Sequence, residues 1–177
     1  MEEKEVLKVV QKFLASQKIK FYRQKGSGPD ILLESGGVVE TKGKGFDMNR
    51  ATEQFVRYPL TYPKLYVAMC ADGLNTTILY VLYILEKSLK TRGKPSIGVY
   101  VIAKVEETKY KVRAYDSSEE MFHYVSSKLE EKLNISSDTQ LEEELARSVE
   151  TIRNIDSELC KILEEDATSV MGYEVTL

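Results

Sequence analysis

The chain has no tryptophan, one histidine, two cysteines and four prolines in 177 residues. Two cysteines, Cys70 and Cys160, cannot build a disulfide framework or a four-thiolate zinc or iron–sulfur site. They read as reduced thiols of a cytoplasmic protein. His123, the single histidine, stands alone and reads as structural. No cationic leader precedes the acidic start, and the most apolar run, Ile78 to Leu85, is far shorter than the about 20 residues that span a bilayer. A soluble, cytoplasmic protein is the expectation. The eleven tyrosines are scattered, with no cluster of the kind that stacks single-stranded bases.

Charge is present and unevenly placed. Residues 1–115 hold 20 Lys+Arg against 12 Asp+Glu, a net +8; residues 116–177 hold 5 against 16, a net −11. The front suits a polyanionic partner and the back does not.

Val6, Val9, Val10, Phe13 and Leu14 fall at helical spacing and predict a first helix over 2–17. Strands follow at Ile19 to Gln24, 29–34 and 37–43. Asp47 or Asn49 can cap a helix over 50–58, ended by Pro59 and Pro63. A buried strand at Leu65 to Ala71, a helix from Asn75 or Thr76 to Lys90, and strands at Ile97 to Val105 and Tyr110 to Tyr115 complete the front. This order predicts an α/β core, a mixed central sheet flanked by helices. Residues 118–165 read as wholly helical, with capping-box spacing at Ser117/Glu120 and Ser137/Gln140. The expected division is a core over 1–115 and an acidic C-terminal helical extension over 116–177.

The most informative segment is Pro29-Asp30 through Glu40-Thr41-Lys42, two short strands joined by Ser35-Gly36-Gly37. Side chains alternate along a strand, so Glu40 and Lys42 share a face. Two carboxylates and an ammonium converging across a hairpin suit a hard divalent cation and a polarised water. An exposed ion pair is the plain alternative. Val38, Val39 and Leu32 argue against it, because they make the strands central, where a charged pair demands a partner or a metal.

On these residues, residues 1–71 resemble the PD-(D/E)xK nuclease superfamily, and Gln54-Phe55-Val56-Arg57-Tyr58 resembles the QxxxY element of its RecB-type members. The simpler core also resembles archaeal Holliday-junction resolvases. The resemblance implies a restriction-endonuclease-like fold and a magnesium- or manganese-dependent DNA nuclease. Asp30, Glu40 and the Thr41 carbonyl would hold the metal, and Lys42 would orient water and offset charge on the phosphate. Gln54 and Tyr58, four apart, share a helix face beside them. A carboxylate of the first helix is expected to approach the metal. Glu5 is the choice, with Glu2 and Glu3 as alternatives. Gly43 would let a phosphate backbone come close, and Lys44, Arg50 and Arg57 would contact phosphates. The chain departs from the RecB type in lacking an upstream histidine and four cluster cysteines.

Three other readings stand beside this one: a resolvase acting as a homodimer, a non-catalytic DNA- or partner-binding protein on a nuclease-like fold, and an interaction protein whose function lies in residues 116–177. Leu145, Val149, Ile152, Leu159 and Leu163 form one apolar stripe on the last helix; it can pack on its own core, pair with a second copy, or leave the tail to cover the basic face, and a homodimer whose interface includes Leu145, Val149, Ile152 or Leu159 is the expectation.

Overall fold

The computed structural model describes residues 1–93, 96–133 and 149–177. The chain runs α1 (Glu3–Ser16), β1 (Phe21–Arg23), β2 (Ile31–Leu33), β3 (Val38–Lys42), α2 (Met48–Thr61), β4 (Leu65–Cys70), α3 (Thr76–Thr91), β5 (Ile97–Glu106), β6 (Lys109–Tyr115), α4 (Ser118–Leu133), α5 (Val149–Thr168) and β7 (Tyr173–Thr176). The strands form one sheet in chain order. β1, β2 and β3 are an antiparallel meander, β3, β4 and β5 are parallel, and β6 and β7 return antiparallel. The mixed sheet flanked by helices expected from the sequence is present.

Period-two alternation divides the strands between two cores. Val39, Ala68, Tyr100, Ile102 and Val112 face α1, which buries Val6, Val9, Val10, Phe13 and Leu14 against them. Val38, Val67, Met69, Val99 and Val101 face the other way, under α2, α3, α4 and α5. The parallel crossovers through α2 and α3 put both helices on that second face, as right-handed connections do.

Several boundaries differ from the sequence reading. β1 is only three residues long. α2 runs on past Pro59 to Thr61, because a proline in the last turn costs one hydrogen bond while its buried ring fills the core. Asp47 is its cap, accepting from the N–H of Asn49 and Arg50. The last strand, β7, has little apolar character and is an addition to the elements expected from the sequence. It pairs with β6 from Lys109↔Thr176 to Val112↔Tyr173. Gly172 makes that return possible, since a Cβ there would lie 1.7 Å from the Ala167 carbonyl oxygen.

The acidic C-terminal segment is therefore built into the sheet and the core. Ile155, Leu159, Ile162 and Leu163 are all at most 2% exposed and pack on the α2–α4 side of the sheet. This corrects the expectation that Leu159 lies in a dimer interface: it and Leu163 are buried in their own chain, as packing on the core requires. Leu145 and the Ser137/Gln140 box lie outside the described residues, as do the side chains of Val149 and Ile152. Asp156 accepts from the Thr76 N–H and hydroxyl and so caps α3. Asp166 accepts from Arg113 Nε at 3.0 Å and from the Tyr115 hydroxyl. These carboxylates tie the helix to its neighbours. Among the described residues, no helix is long and apolar enough to cross a membrane.

Candidate metal and nucleic-acid cleft

β3 outruns its neighbour. β2 pairs only with Val38 and Val39, so Glu40, Thr41 and Lys42 continue with β4 on one side and a notch on the other. Asp30 fills part of the notch from the start of β2. Its Oδ2 accepts from both the Thr41 N–H and the Thr41 hydroxyl, each at 2.8 Å. The Thr41 carbonyl leaves the strand on the same edge as its N–H, because one residue's two backbone groups point the same way in a strand.

Glu40 and Lys42 share a face, as alternation requires. Lys42 Nζ donates to Glu40 Oε1 at 2.9 Å and to Gln54 Oε1 at 2.5 Å. All three are buried, Glu40 to 3% exposure. The second Glu40 oxygen, Oε2, is buried with no hydrogen-bond partner among the described residues. Burial first, and then the negative charge of Asp30, push the Glu40 carboxyl from an ordinary 4.5 up to about 7; the Lys42 ammonium opposes this and Glu3 adds to it.

These side chains lie in a cleft of about 330 Å³ at the C-terminal end of β3. One wall is the Gly26–Ser27–Gly28 loop; the other carries Phe46, Asp47 and Arg50. Glu3, at the start of α1, lines it too. It does so because Gly43 has no side chain: a Cβ there would sit 2.4 Å from the Glu3 backbone nitrogen. Gly43 thus seats the first helix, which differs from the expected role of admitting a phosphate.

The remaining expected residues fall as follows. Glu5 points away from the cleft, accepting from Lys104 Nζ at 2.9 Å and Tyr110 Oη at 2.5 Å, and those bonds hold its carboxyl below the usual range. Glu3 is the first-helix carboxylate at the cleft, and helix phase at an N-terminus resting on Gly43 is why. Gln54 is in place. Tyr58, a turn further on, is 3% exposed within the core; its hydroxyl has no partner among the described residues, and burial and the nearby Glu40 charge raise its pKa. Arg50 lines the cleft. Lys44 instead lies 3.9 Å from Asp72, and Arg57 pairs with Glu53 at 3.9 Å, both outside the lining. Cys70 is buried, its thiol pushed up to about 12 by burial, and Cys160 donates to the Leu74 carbonyl; both are free.

Among the described residues, no three His, Cys, Asp or Glu side chains are grouped closely enough to form a ready-made metal cage. The cleft is lined by Glu40, whose Oε2 has no partner among the described residues, and by the Asp30 carboxylate, and the Thr41 carbonyl leaves the adjoining strand edge. These oxygens are hard ligands, as magnesium and manganese prefer, and a cation would offset both the burial and the Asp30 repulsion that raise the Glu40 pKa. The donor set fits such an ion. Comparison of the chain with models of known families, with characterised proteins and with solved structures finds no match.

The raised Glu40 carboxyl predicts a pH dependence for the metal-free protein. Its folded pKa lies above the unfolded value, so the folded state holds an extra proton between about pH 4.5 and 7. Stability from this group is full below 4.5 and is lost as pH rises through 7. The 2.5-unit difference sets a scale of about 3 kcal/mol. Urea unfolding across pH 5 to 8 in chelator should show the decline, and magnesium should reduce it. A flat profile would remove Glu40 as a strained carboxylate.

Proposed function

We propose that the chain is a divalent-metal-dependent deoxyribonuclease on a restriction-endonuclease-like core. The observation that carries this is Glu40: a buried carboxylate beside Asp30, one oxygen unpartnered, lining an open cleft. A purely structural carboxylate has its hydrogen bonds met.

Asp30, Glu40 and the Thr41 carbonyl would hold magnesium or manganese, with Glu3 alongside in place of Glu5. When bound, the ion supplies Lewis acidity to the phosphate and lowers the pKa of water. The chain's own residues do the rest. Lys42 places a positive charge at the floor, where the negative charge of an attacked phosphate develops. Gln54 and Glu40 hold that ammonium between them, so it needs no reorganisation. Thr41, by its N–H and hydroxyl, fixes the Asp30 carboxylate. Arg50 on the rim is placed to meet a neighbouring phosphate.

The test is incubation of the protein with plasmid, linear and branched DNA, with and without magnesium or manganese. Phosphodiester cleavage that requires the cation is the expected result. Binding of DNA without cleavage under every condition would support the non-catalytic reading instead.

A further inference from the structure

The walls of the cleft say which form of nucleic acid it takes. The Gly26–Ser27–Gly28 loop lines the cleft, and its three N–H groups donate to no acceptor among the described residues, so they are unspent. Consecutive free N–H groups of this kind favour an anion. Gly26 has φ +106°, a conformation that favours glycine, and nothing lies within 4 Å of where its Cβ would be. The other wall carries Arg50, whose guanidinium has no ion-pair partner among the described residues. Phe46, on the same wall as Arg50, lines the cleft and is partly buried against the core beneath it. The unpartnered Glu40 Oε2 marks the floor of the same cleft as a place where something binds.

We propose that this cleft receives a single unpaired nucleic-acid strand, with its backbone phosphates held by the Gly26–Gly28 amides and Arg50 and a base stacked on Phe46. Two features favour a strand over a duplex. Glu40 and Lys42 are 3% and 7% exposed, so a reacting phosphate must enter between the walls. In an intact duplex both faces of each internal base are covered by neighbours, and none is free to meet an aromatic ring at the wall. An unpaired nucleotide presents both a flexible phosphate and a free base face, and stacking of this kind is tolerant of sequence. The inference rests on the nuclease reading for its floor, but the walls can be tested separately.

The experiment is fluorescence anisotropy in chelator with a labelled oligothymidylate and a hairpin duplex of equal phosphate number. The strand should bind about tenfold or more tightly than the duplex. Phe46→Leu keeps apolar packing and removes the ring; it should weaken strand binding about tenfold and leave duplex binding unchanged. Phe46→Tyr should restore it. Ser27→Pro, which deletes one amide donor, should weaken the strand severalfold. Unfolding midpoints matching the parent confirm that these variants fold. Equal or tighter duplex binding, or a well-folded Phe46→Leu protein that binds the strand as the parent does, overturns the proposal. The two readings fail separately. Metal-dependent cutting without strand preference sinks only the strand inference. Phe46-dependent strand binding without cutting sinks only the nuclease reading.

Discussion

Glu40→Gln should lose DNA cleavage by about three orders of magnitude or more while the protein folds at least as well as the parent. The substitution keeps shape and keeps an acceptor for Lys42, but removes a buried carboxylate oxygen that has no hydrogen-bond partner among the described residues. A metal's share of transition-state stabilisation is several kcal/mol, and about 1.4 kcal/mol is a factor of ten. Stability should respond to pH in a way no bystander would show. At pH 5, where Glu40 already carries its proton, Gln and Glu should be nearly equivalent. Above pH 8, where Glu40 must be charged, the Gln protein should be the more stable by about 2–3 kcal/mol, because it has no buried charge to maintain. Asp30 calls for Asn rather than Ala. Asp30→Ala would strand two donors on Thr41 and cost about 1–3 kcal/mol, confusing loss of fold with loss of chemistry. Cleavage rate, manganese calorimetry and urea unfolding together decide this. Full activity in Glu40→Gln would end its assignment as a ligand.

Glu86→Ala should be the most destabilising change outside the cleft. Glu86 is completely buried on α3. Its Oε2 accepts from the Ile97 N–H at 2.6 Å, and its Oε1 from the Glu119 N–H at 3.0 Å and from the Ser117 hydroxyl. One carboxylate therefore starts β5 and caps α4. Alanine leaves those donors unpaired around a void. At about 1–3 kcal/mol for an unsatisfied buried group, the loss should be about 3–5 kcal/mol, against a total near 5–15 kcal/mol for a domain. The melting temperature should fall by about 10 °C or more. Glu86→Gln should recover part of this, since its oxygen can still cap α4 while its amide faces the Ile97 N–H donor to donor. Denaturant unfolding measures both; an alanine protein within 1 kcal/mol of the parent by roughly the usual extrapolation error would contradict the account.

The hairpin was legible because it depends on local rules. Alternation puts Glu40 with Lys42, and the Ser35-Gly36-Gly37 turn brings Asp30 back to the notch. Gln54 was legible because it sits one buried helical turn inside a capped helix. Glu3 was not separable from Glu5, since their order at the cleft depends on how α1 rests against Gly43, a contact between segments 40 residues apart. Tyr58 shares a helix face with Gln54, yet one turn of rise carries it from the cleft into the core. Phe46 and the Gly26–Gly28 loop carry no periodicity and gained meaning only when the two walls met. β7 is a tetrapeptide, Tyr173-Glu174-Val175-Thr176, whose only fully apolar member is buried by a helix from the other end of the chain.

That last pairing bears on how the molecule is made. α1 leaves the ribosome well ahead of β7, but Val175 belongs to the core that receives it, and Phe13 meets Tyr173 at 5.5 Å. On the ribosome the first helix emerges long before its socket is finished, and domains complete their folding only when their last contacts are available. Glu3 rides on that helix. A nascent chain thus forms the Asp30–Glu40 hairpin early and gains the seat for Glu3 only after β7 has emerged, so the cleft is completed late relative to the strands that carry it.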